Sequence, residues 1–320
     1  MKKTSYLENS LKWPIDTPQI AHKDWILFTA SLACCSPACQ HGYVLDTTPS
    51  EIRQFIIDLC TTLSPGLRAA NRDAGAIDTK TDFHDVVTVH DRATEVAIRE
   101  AIFERFPESV VLGEETGWSN RTGDTGEPSP NDLIWIVDPI DGTSNFAGGW
   151  DYWCISISAA RGGEFVASGV CQPIVNRIWS ADDTGAYLDE PGYETRRLSV
   201  QRDAVPSDGL CATEYPKINS ADDSALVRWR EAGRSFRSMR RPGSTALDLC
   251  YVADGRAVAS FSTGVHSWDV AAGIHIIQQA GGIYEGYNGT ELSTPIWDGS
   301  SFVAGASKAC VAAGRKALGL

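Results

Sequence analysis

Residues 133–146 read LIWIVDPIDGTSNF, an apolar run that leads directly into two aspartates. The unbroken run from Leu133 to Val137 predicts a strand that is covered on both faces. Asp138 and Asp141 then stand at the carboxyl end of that strand, which is where open α/β architectures place their ligands. The stretch therefore predicts a functional site at the end of a buried strand.

The two aspartates are close enough along the chain to repel each other unless they are protonated or bridged by a cation. A divalent metal ion resolves that repulsion. Pro139 fixes its own backbone and donates no hydrogen bond, which favours an Ile140 carbonyl turned toward the same ion. If Gly142 and Thr143 open a helical turn, their N–H groups add an anion site beside the metal. The motif predicts a combined metal and phosphate site; the alternative is an acidic turn on the surface.

Acidic residues in three other segments are candidates for the same site. SVVLGEE ends a second predicted strand, HDVVTVHD surrounds a short apolar stretch, and HSWDVAAG opens a predicted helix. Each has a plainer interpretation by itself, since Asp269 suits a helix N-terminus and Asp91 suits a helix cap. Together they supply the hard oxygen ligands that Mg²⁺ prefers, without the His and Cys set typical of zinc. The residues concerned are Asp85, Asp91, Glu114, Glu115 and Asp269.

The chain of 320 residues carries a formal net charge of −13 and has a pI of about 4.9. This acidic balance argues against binding to nucleic acid or to an anionic membrane, because basic surfaces supply most of that affinity. It suits a protein that binds cations. The nine cysteines form no CxxC pair, and no apolar run approaches the ~18 residues of a membrane span. Reduced thiols and the lack of a secretory signal predict a cytoplasmic protein.

Three regions are predicted along the chain. The first carries prolines without a sustained period and is interpreted as an N-terminal extension. The second begins with a helix, for which Ser50 is the predicted N-cap, and carries most of the acidic candidates. It also contains a helix predicted near Asp91, with Val96 among the residues facing inward. The third alternates helix and strand and contains Asp269 and the substrate-pocket residues. The regions are residues 1–49, 50–195 and 196–320.

Several segments, taken in order, make the chain resemble the inositol monophosphatase family. They are KTDFHDVVTVHD, GEE, DPIDGTSNF, RRPGSTALDLCYVADGR and WDVAAG followed by AGG, and they span roughly residues 50–310. The resemblance implies a mixed α+β and α/β fold, the layered αβαβα sandwich of the inositol monophosphatase and fructose-1,6-bisphosphatase type. It also implies a phosphatase that uses two or three Mg²⁺ ions, is often Li⁺-sensitive and commonly forms a homodimer.

The resemblance implies a set of metal ligands at the matching positions. Asp138 would be shared between two ions, and Glu114 would bind the first ion and help a third. The implied ligands are Glu114, Asp138, the carbonyl of Ile140, Asp141 and Asp269.

The resemblance also implies catalytic and substrate-binding residues. Thr143, with Asp85 behind it, would activate the attacking water together with Glu114. Lys80 resembles a lysine in a mobile loop. The N–H groups of the GTSN turn would bind the phosphate. The implied substrate-binding residues are Asp141, Gly142, Thr143, Gly243, Ser244, Thr245, Ser262 and Asp269.

One position departs from the family pattern. Inositol-preferring members carry a glutamate seven residues before the aspartate of the WD pair, and here that position is Ser262. Serine loses the charge-assisted interaction with substrate hydroxyls, which leaves an inositol or sugar phosphate, histidinol phosphate or a nucleotide-type compound as candidate substrates. The predicted function is a Mg²⁺-dependent phosphomonoesterase acting on a small phosphorylated metabolite. The alternative is a catalytically idle, phosphatase-like regulatory or binding protein.

Overall fold

The computed structural model describes residues 47–71, 77–79, 86–124, 128–217 and 222–320. The predicted N-terminal extension lies outside these residues except at its end, and so do the candidates Lys80 and Asp85. In the described part of the chain, no helix is both long enough and apolar enough to cross a membrane.

The first described helix, α1 (Pro49–Ala70), begins with a capping box whose N-cap is Thr48. The Thr48 hydroxyl accepts the Glu51 N–H at 3.3 Å, and the Glu51 carboxylate accepts the Thr48 N–H at 2.8 Å. This pair satisfies two backbone donors at the helix start. The predicted N-cap, Ser50, is wrong because it lies inside the helix. The buried apolar face consists of Ile52, Ile56, Leu59, Cys60, Leu63 and Leu67.

Helix α2 (Val89–Arg105) follows a short antiparallel ribbon of β1 (Ile77–Thr79) and β2 (Val86–Thr88). The helix predicted near Asp91 is therefore confirmed. Val96, predicted to face inward, is 49% exposed. The buried face instead follows a helical period and carries charged residues as well as apolar ones. It includes Asp91, Glu95, Ile98 and Ile102.

Eight strands form the larger sheet. Their bounds are β3 Val110–Gly113, β4 Gly117–Asn120, β5 Ile134–Asp141, β6 Cys154–Arg161, β7 Glu164–Gln172, β8 Arg177–Asp182, β9 Gly185–Asp189 and β10 Arg196–Arg197. The order is β10-β9-β8-β7-β6-β5-β3-β4. Strands β3 and β5 are parallel neighbours, with Gly113 opposite Val137. Their carboxyl ends therefore share one edge, which places Glu114 next to Asp138.

Six strands form the second sheet, in the order β12-β11-β13-β16-β14-β15. Their bounds are β11 Leu210–Ala212, β12 Ser238–Arg240, β13 Ala259–Thr263, β14 Ile283–Asn288, β15 Glu291–Leu292 and β16 Ser301–Gly305. The remaining helices are α3 Thr143–Gly148, α4 Asp223–Ser235, α5 Thr245–Ala253, α6 Ser267–Gln279 and α7 Lys308–Leu318.

The helices and sheets form five layers. Helices α1 and α2 pack on one face of the larger sheet, and α5 and α6 lie between the two sheets. Helix α7, with α4 against it, packs on the far side of the smaller sheet. This arrangement confirms the predicted αβαβα sandwich. Along the chain, β10 is the last strand of the larger sheet and β11 is the first strand of the smaller sheet. The predicted domain division between residues 195 and 196 stays a prediction.

Candidate active site

The quoted stretch contains a covered strand of the larger sheet, β5. Strand β5 is buried from Trp135 onward, and its two acidic residues are buried with it: Asp138 is 2% exposed and Asp141 is 8% exposed. A bulge separates these two residues in the pairing with β6. The Ile140 N–H folds back and donates to Asp138 Oδ1 at 3.0 Å. Burial of both carboxylates excludes the alternative of an exposed acidic turn.

Three of the other predicted acidic ligands lie near enough to Asp138 to act on its charge. Burial raises the pKa of Asp138 well above its usual range, and three neighbouring carboxylates raise it further. These neighbours are Glu114, Asp141 and Asp269. Burial and the charge of Asp269 also raise the pKa of Asp141 to about 7. Carboxylates from three motifs thus act on one another at this strand end.

Each carboxylate of the site has its own local support. Asp141 Oδ2 accepts the Ser244 hydroxyl at 2.6 Å and the Ala246 N–H at 2.7 Å, which joins it to the start of α5. Asp269 Oδ2 accepts the His266 N–H at 2.8 Å at the start of α6. Both acids therefore accept backbone N–H groups at the N-terminus of a helix, which is the simpler role that the sequence suggested for Asp269.

The donor set fits Mg²⁺ in its chemistry. The groups are buried carboxylates and a carbonyl, all hard oxygen donors, and their mutual repulsion is relieved by a divalent cation. Within the described ranges, no three His, Cys, Asp or Glu side chains already converge on one point as a closed ligand set.

Thr143 links the end of β5 to α2. Its Oγ1 lies 3.1 Å from Asp91 Oδ1 and 3.1 Å from the Ile140 carbonyl. Asp91 is 1% exposed and also accepts the Thr88 N–H at 2.8 Å, so it is both the predicted cap and the partner of Thr143. Burial raises the pKa of Asp91 to about 6 against the opposing hydrogen bonds from Thr88.

The sequence interpretation named Asp91 among the candidates but favoured a helix cap for it and did not pair it with Thr143. The signal that was available is the spacing of HDVVTVHD, which carries two aspartates six residues apart, of which only Asp85 was assigned to Thr143. Asp85 lies outside the described residues. The structure therefore identifies Asp91 as the carboxylate in contact with the Thr143 hydroxyl.

Two glycine turns pack against each other on the substrate side. Gly142 has φ +93°, and a Cβ there would lie 2.9 Å from the Gly243 carbonyl oxygen. Gly243 has φ +95°, and a Cβ there would lie 2.8 Å from Asn145 Nδ2. Asn145 Nδ2 in turn donates to the carbonyls of Tyr152 and Pro242, each at 2.7 Å. The predicted residues at 142–143 and 243–245 are thereby brought together beside Asp141.

The same segments decide the comparison with known proteins. The model of the inositol monophosphatase family matches residues 48–318. This chain belongs to that family. Inositol monophosphatase 2 of Saccharomyces cerevisiae is 33% identical over 256 residues, which cover 77% of this chain and 85% of that relative. Nus factor SuhB of Pasteurella multocida is 33% identical over 208 residues, covering 64% of this chain and 73% of the relative.

A solved structure shows the same fold. The extragenic suppressor protein suhB from Bartonella henselae matches with a TM-score of 0.70 and 25% identity, covering 83% of this chain and 98% of that chain. As a member of the inositol monophosphatase family, the protein is a phosphatase of the phosphoric monoester hydrolase class.

Ser262, where inositol-preferring members of the family carry glutamate, has a separate setting. It lies in β13, paired with Phe302, and is 1% exposed. Its hydroxyl has no hydrogen-bond partner in the described part of the chain. The structure thus places Ser262 in the interior of the smaller sheet, and its substrate-binding role stays a prediction.

Proposed function

We propose that this protein is a Mg²⁺-dependent phosphomonoesterase that hydrolyses a small phosphorylated metabolite by attack of an activated water. One observation carries the proposal: carboxylates from three separate motifs act on Asp138 at the end of β5 and raise its pKa. Buried acids that make one another harder to ionise are either protonated or compensated by a cation, and a bound divalent ion provides that compensation. Family membership supplies the reaction class.

The proposed ligands are those that the sequence motifs indicated. Glu114, Asp138 and the Ile140 carbonyl would hold a first ion, and Asp138, Asp141 and Asp269 would hold a second, with Glu114 available to a third. When bound, Mg²⁺ supplies the positive charge that a phosphate dianion needs in an acidic protein and makes water a better nucleophile. The convergence of Asp138 with the other acids supports this assignment.

The chain's own residues orient the water and receive its proton. We assign this role to Thr143, whose hydroxyl is held 3.1 Å from Asp91 Oδ1 and can accept a hydrogen bond from water while donating to that carboxylate. Glu114 flanks the same position. Asp85 keeps the role that the family resemblance gave it, and Asp91 joins it as a proton acceptor behind the threonine.

The substrate side is proposed from the two glycine turns. N–H groups of Gly142 and Thr143 at the start of α3 bind the phosphoryl oxygens. Gly243, Ser244 and Thr245 border the leaving group, since their turn packs on Gly142. Since Ser262 lacks a carboxylate and is buried, a polyol is not favoured over other leaving groups. Sugar phosphates, histidinol phosphate and nucleotide-type compounds are the substrates to compare.

A phosphate-release screen over such compounds tests the proposal. The protein is expected to release phosphate from at least one of them in Mg²⁺, to lose this activity in EDTA, and to be inhibited by Li⁺. An active protein that is indifferent to EDTA would exclude the metal assignment.

A second candidate is a phosphatase-like regulatory or binding protein. It is favoured by one observation, that the relative from Pasteurella multocida carries the name Nus factor. The same screen separates the two, since an idle homologue releases no phosphate from any compound although it retains the fold.

We also infer a homodimer, as is common in the family. The exposed indole of Trp150, 67% accessible beside a cavity of about 660 Å³, supports an association surface. Sedimentation of the wild type and of Trp150→Glu tests it: a dimer that becomes a monomer in the variant is expected, and a monomeric wild type would overturn it.

A further inference from the structure

Glu95 is a buried acid outside the cluster at the end of β5, but it contacts a segment that carries one member of that cluster. We name the segment that joins β3 to β4, residues 113–117, the acidic turn. Glu95 is 0% exposed. Its Oε2 accepts the Glu115 N–H at 2.7 Å and its Oε1 accepts the Thr116 hydroxyl at 2.5 Å. Both hydrogen bonds come from residues that directly follow Glu114.

The acidic turn is shaped to admit this carboxylate. A Cβ at Gly113 would lie 2.4 Å from the Glu95 carboxyl carbon, which is too close for any side chain. The φ of Gly113 is not in the left-handed region, so the glycine is explained by space and not by backbone conformation. Glu95 therefore packs directly against the backbone on one side of Glu114 and binds the two residues on the other side.

Two arginines on the same face of α2 complete the contact. Arg99 lies 3.9 Å from Glu95 Oε1 and donates to the Thr116 and Ser119 hydroxyls. Arg92 Nε lies 3.7 Å from Glu115 Oε2. Spacings of three and four residues place positions 92, 95 and 99 side by side on a helix, so the acidic turn rests on a continuous polar strip of α2.

The opposite side of the acidic turn is joined to β5. The Glu114 N–H donates to the Val137 carbonyl at 3.2 Å, one residue before Asp138. Glu114 is thus fixed between β5 and α2. The same buried face of α2 carries Asp91, four residues before Glu95. Asp91 accepts a hydrogen bond from the Thr143 hydroxyl. Helix α2 therefore contacts both the acidic turn, which carries Glu114, and the turn at the end of β5, which carries Thr143.

We propose that Glu95 is a positioning residue for Glu114 and sets the affinity of the site for Mg²⁺. This inference rests on the proposed function and adds a residue that would not touch the ion. The buried Glu95 carboxylate accepts two hydrogen bonds and thereby fixes the backbone around Glu114. The Glu114 side chain is then already in place when the ion binds, so binding does not have to order it. Contacts behind metal ligands tune affinity by about 10–100-fold in other metal sites.

The test measures Mg²⁺ binding directly, by titration calorimetry without substrate and by the rise in Tm that Mg²⁺ produces. Glu95→Ala is expected to weaken Mg²⁺ binding by about 10–100-fold. Glu95→Gln keeps one acceptor oxygen and the same shape, so it is expected to lose less. Thr116→Val removes the hydroxyl that donates to Glu95 and accepts from Arg99 but leaves the Glu95 carboxylate in place, so it is expected to lose least. In turnover assays, the half-saturating Mg²⁺ concentration rises in the same order, while kcat at saturating Mg²⁺ changes little.

Asp182→Asn is the matched control, because Asp182 is an equally buried acid in β8, three strands from β5. It is expected to lower the Tm without changing the affinity for Mg²⁺. If Glu95→Gln also lowers only the Tm, Glu95 is merely structural and the inference is overturned, even if Glu95→Ala does not fold. If the wild type binds no Mg²⁺, the proposed function itself fails, which is a different and recognisable outcome.

Discussion

The larger sheet buries acids in two places and treats them in opposite ways. At the end of β8, Asp182 is 0% exposed and lies 2.7 Å from Arg53 Nε. Burial alone would raise the pKa of Asp182, but hydrogen bonds from Thr184 and the Arg53 guanidinium outweigh it and lower the pKa. At the end of β5, burial and neighbouring carboxylates raise the pKa of Asp138 and Asp141 together.

The difference lies in where the compensating cation comes from. Arg53 reaches Asp182 from α1 and makes the pair complete within the chain. At Asp138 the strongest charges acting on the carboxylate are other carboxylates. A site that already contained an arginine would have no need of Mg²⁺, so a cation-binding site has to leave its acids uncompensated. The same strand-end chemistry thus gives a structural ion pair in one place and a candidate metal site in the other.

The largest expected effect comes from removing a charge at the β5 site. Asp141→Asn should lower kcat/KM by about 10³-fold, since metal ions contribute several kcal/mol to such reactions. Its thermal stability in EDTA should stay equal or rise, because a repelling charge is lost. Phosphate release and thermal unfolding measure the two quantities.

Asp182→Asn should give the reverse result and completes this comparison. Loss of the carboxylate leaves Arg53 unpaired and should lower the unfolding free energy by about 1–3 kcal/mol, with activity retained below the unfolding transition. Equal losses of activity in the two variants would show that both aspartates serve the fold alone.

The β5 side of this comparison could be predicted from the sequence. An apolar run that ends in Asp138 and Asp141 specifies both a covered strand and its charged end, and GEE repeats the pattern for the parallel neighbour. The order of such motifs carries the resemblance to the inositol monophosphatase family, and that resemblance implied the fold class. These signals are local in the chain, so no knowledge of packing was needed.

The contributions of α2 could not be predicted in the same way. Asp91 and Glu95 are four residues apart on a helix, a spacing equally typical of a solvent-exposed charged face. Only the tertiary structure shows that this face is buried against the turns that hold Glu114 and Thr143. The inward direction predicted for Val96 was wrong for the same reason, since hydrophobic periodicity assumes that the buried face is apolar.

Each of the two acid sites has a neighbouring threonine, and substitution of these threonines compares the two sites again. Thr143 Oγ1 lies 3.1 Å from Asp91, and Thr184 donates to Asp182 through both its N–H, at 2.8 Å, and its hydroxyl. Thr143→Val should reduce kcat by about 100-fold, because a positioned proton-transfer group is lost. Thr143→Ser keeps the hydroxyl and should restore most of the activity.

Thr184→Val is the control for the threonine at the structural site. It removes the same hydroxyl but should affect only stability, by about 1 kcal/mol, leaving kcat near the wild-type value. If Thr143→Val retained full kcat, the assignment of the Thr143 and Asp91 pair to water activation would be wrong.

The last expected effect is on stability alone and concerns a second basic residue close to Asp182. His275 of α6 is 2% exposed, with Nδ1 lying 3.0 Å from the Ser168 hydroxyl and its ring stacked on Phe165. Burial lowers the pKa of His275 to about 4, although the charge of Asp182 opposes the shift. Burial of the imidazole thus outweighs the attraction of Asp182 and favours the neutral form of His275.

A lowered histidine pKa gives stability a definite pH dependence. Between about pH 6.5 and 4 the unfolded chain binds a proton at this residue and the folded chain does not, so acidification should destabilise the fold by about 1.4 kcal/mol per pH unit. Above pH 6.5 both states are neutral at His275 and the contribution is constant. Urea unfolding in EDTA at pH 5 and pH 6 should show this slope as a difference between wild type and His275→Asn. The other buried acids are the same in both proteins and cancel in this difference. If the unfolding free energies of the two proteins changed with pH in parallel, His275 would be accepting its proton in the folded state, and the attraction of Asp182 would outweigh burial.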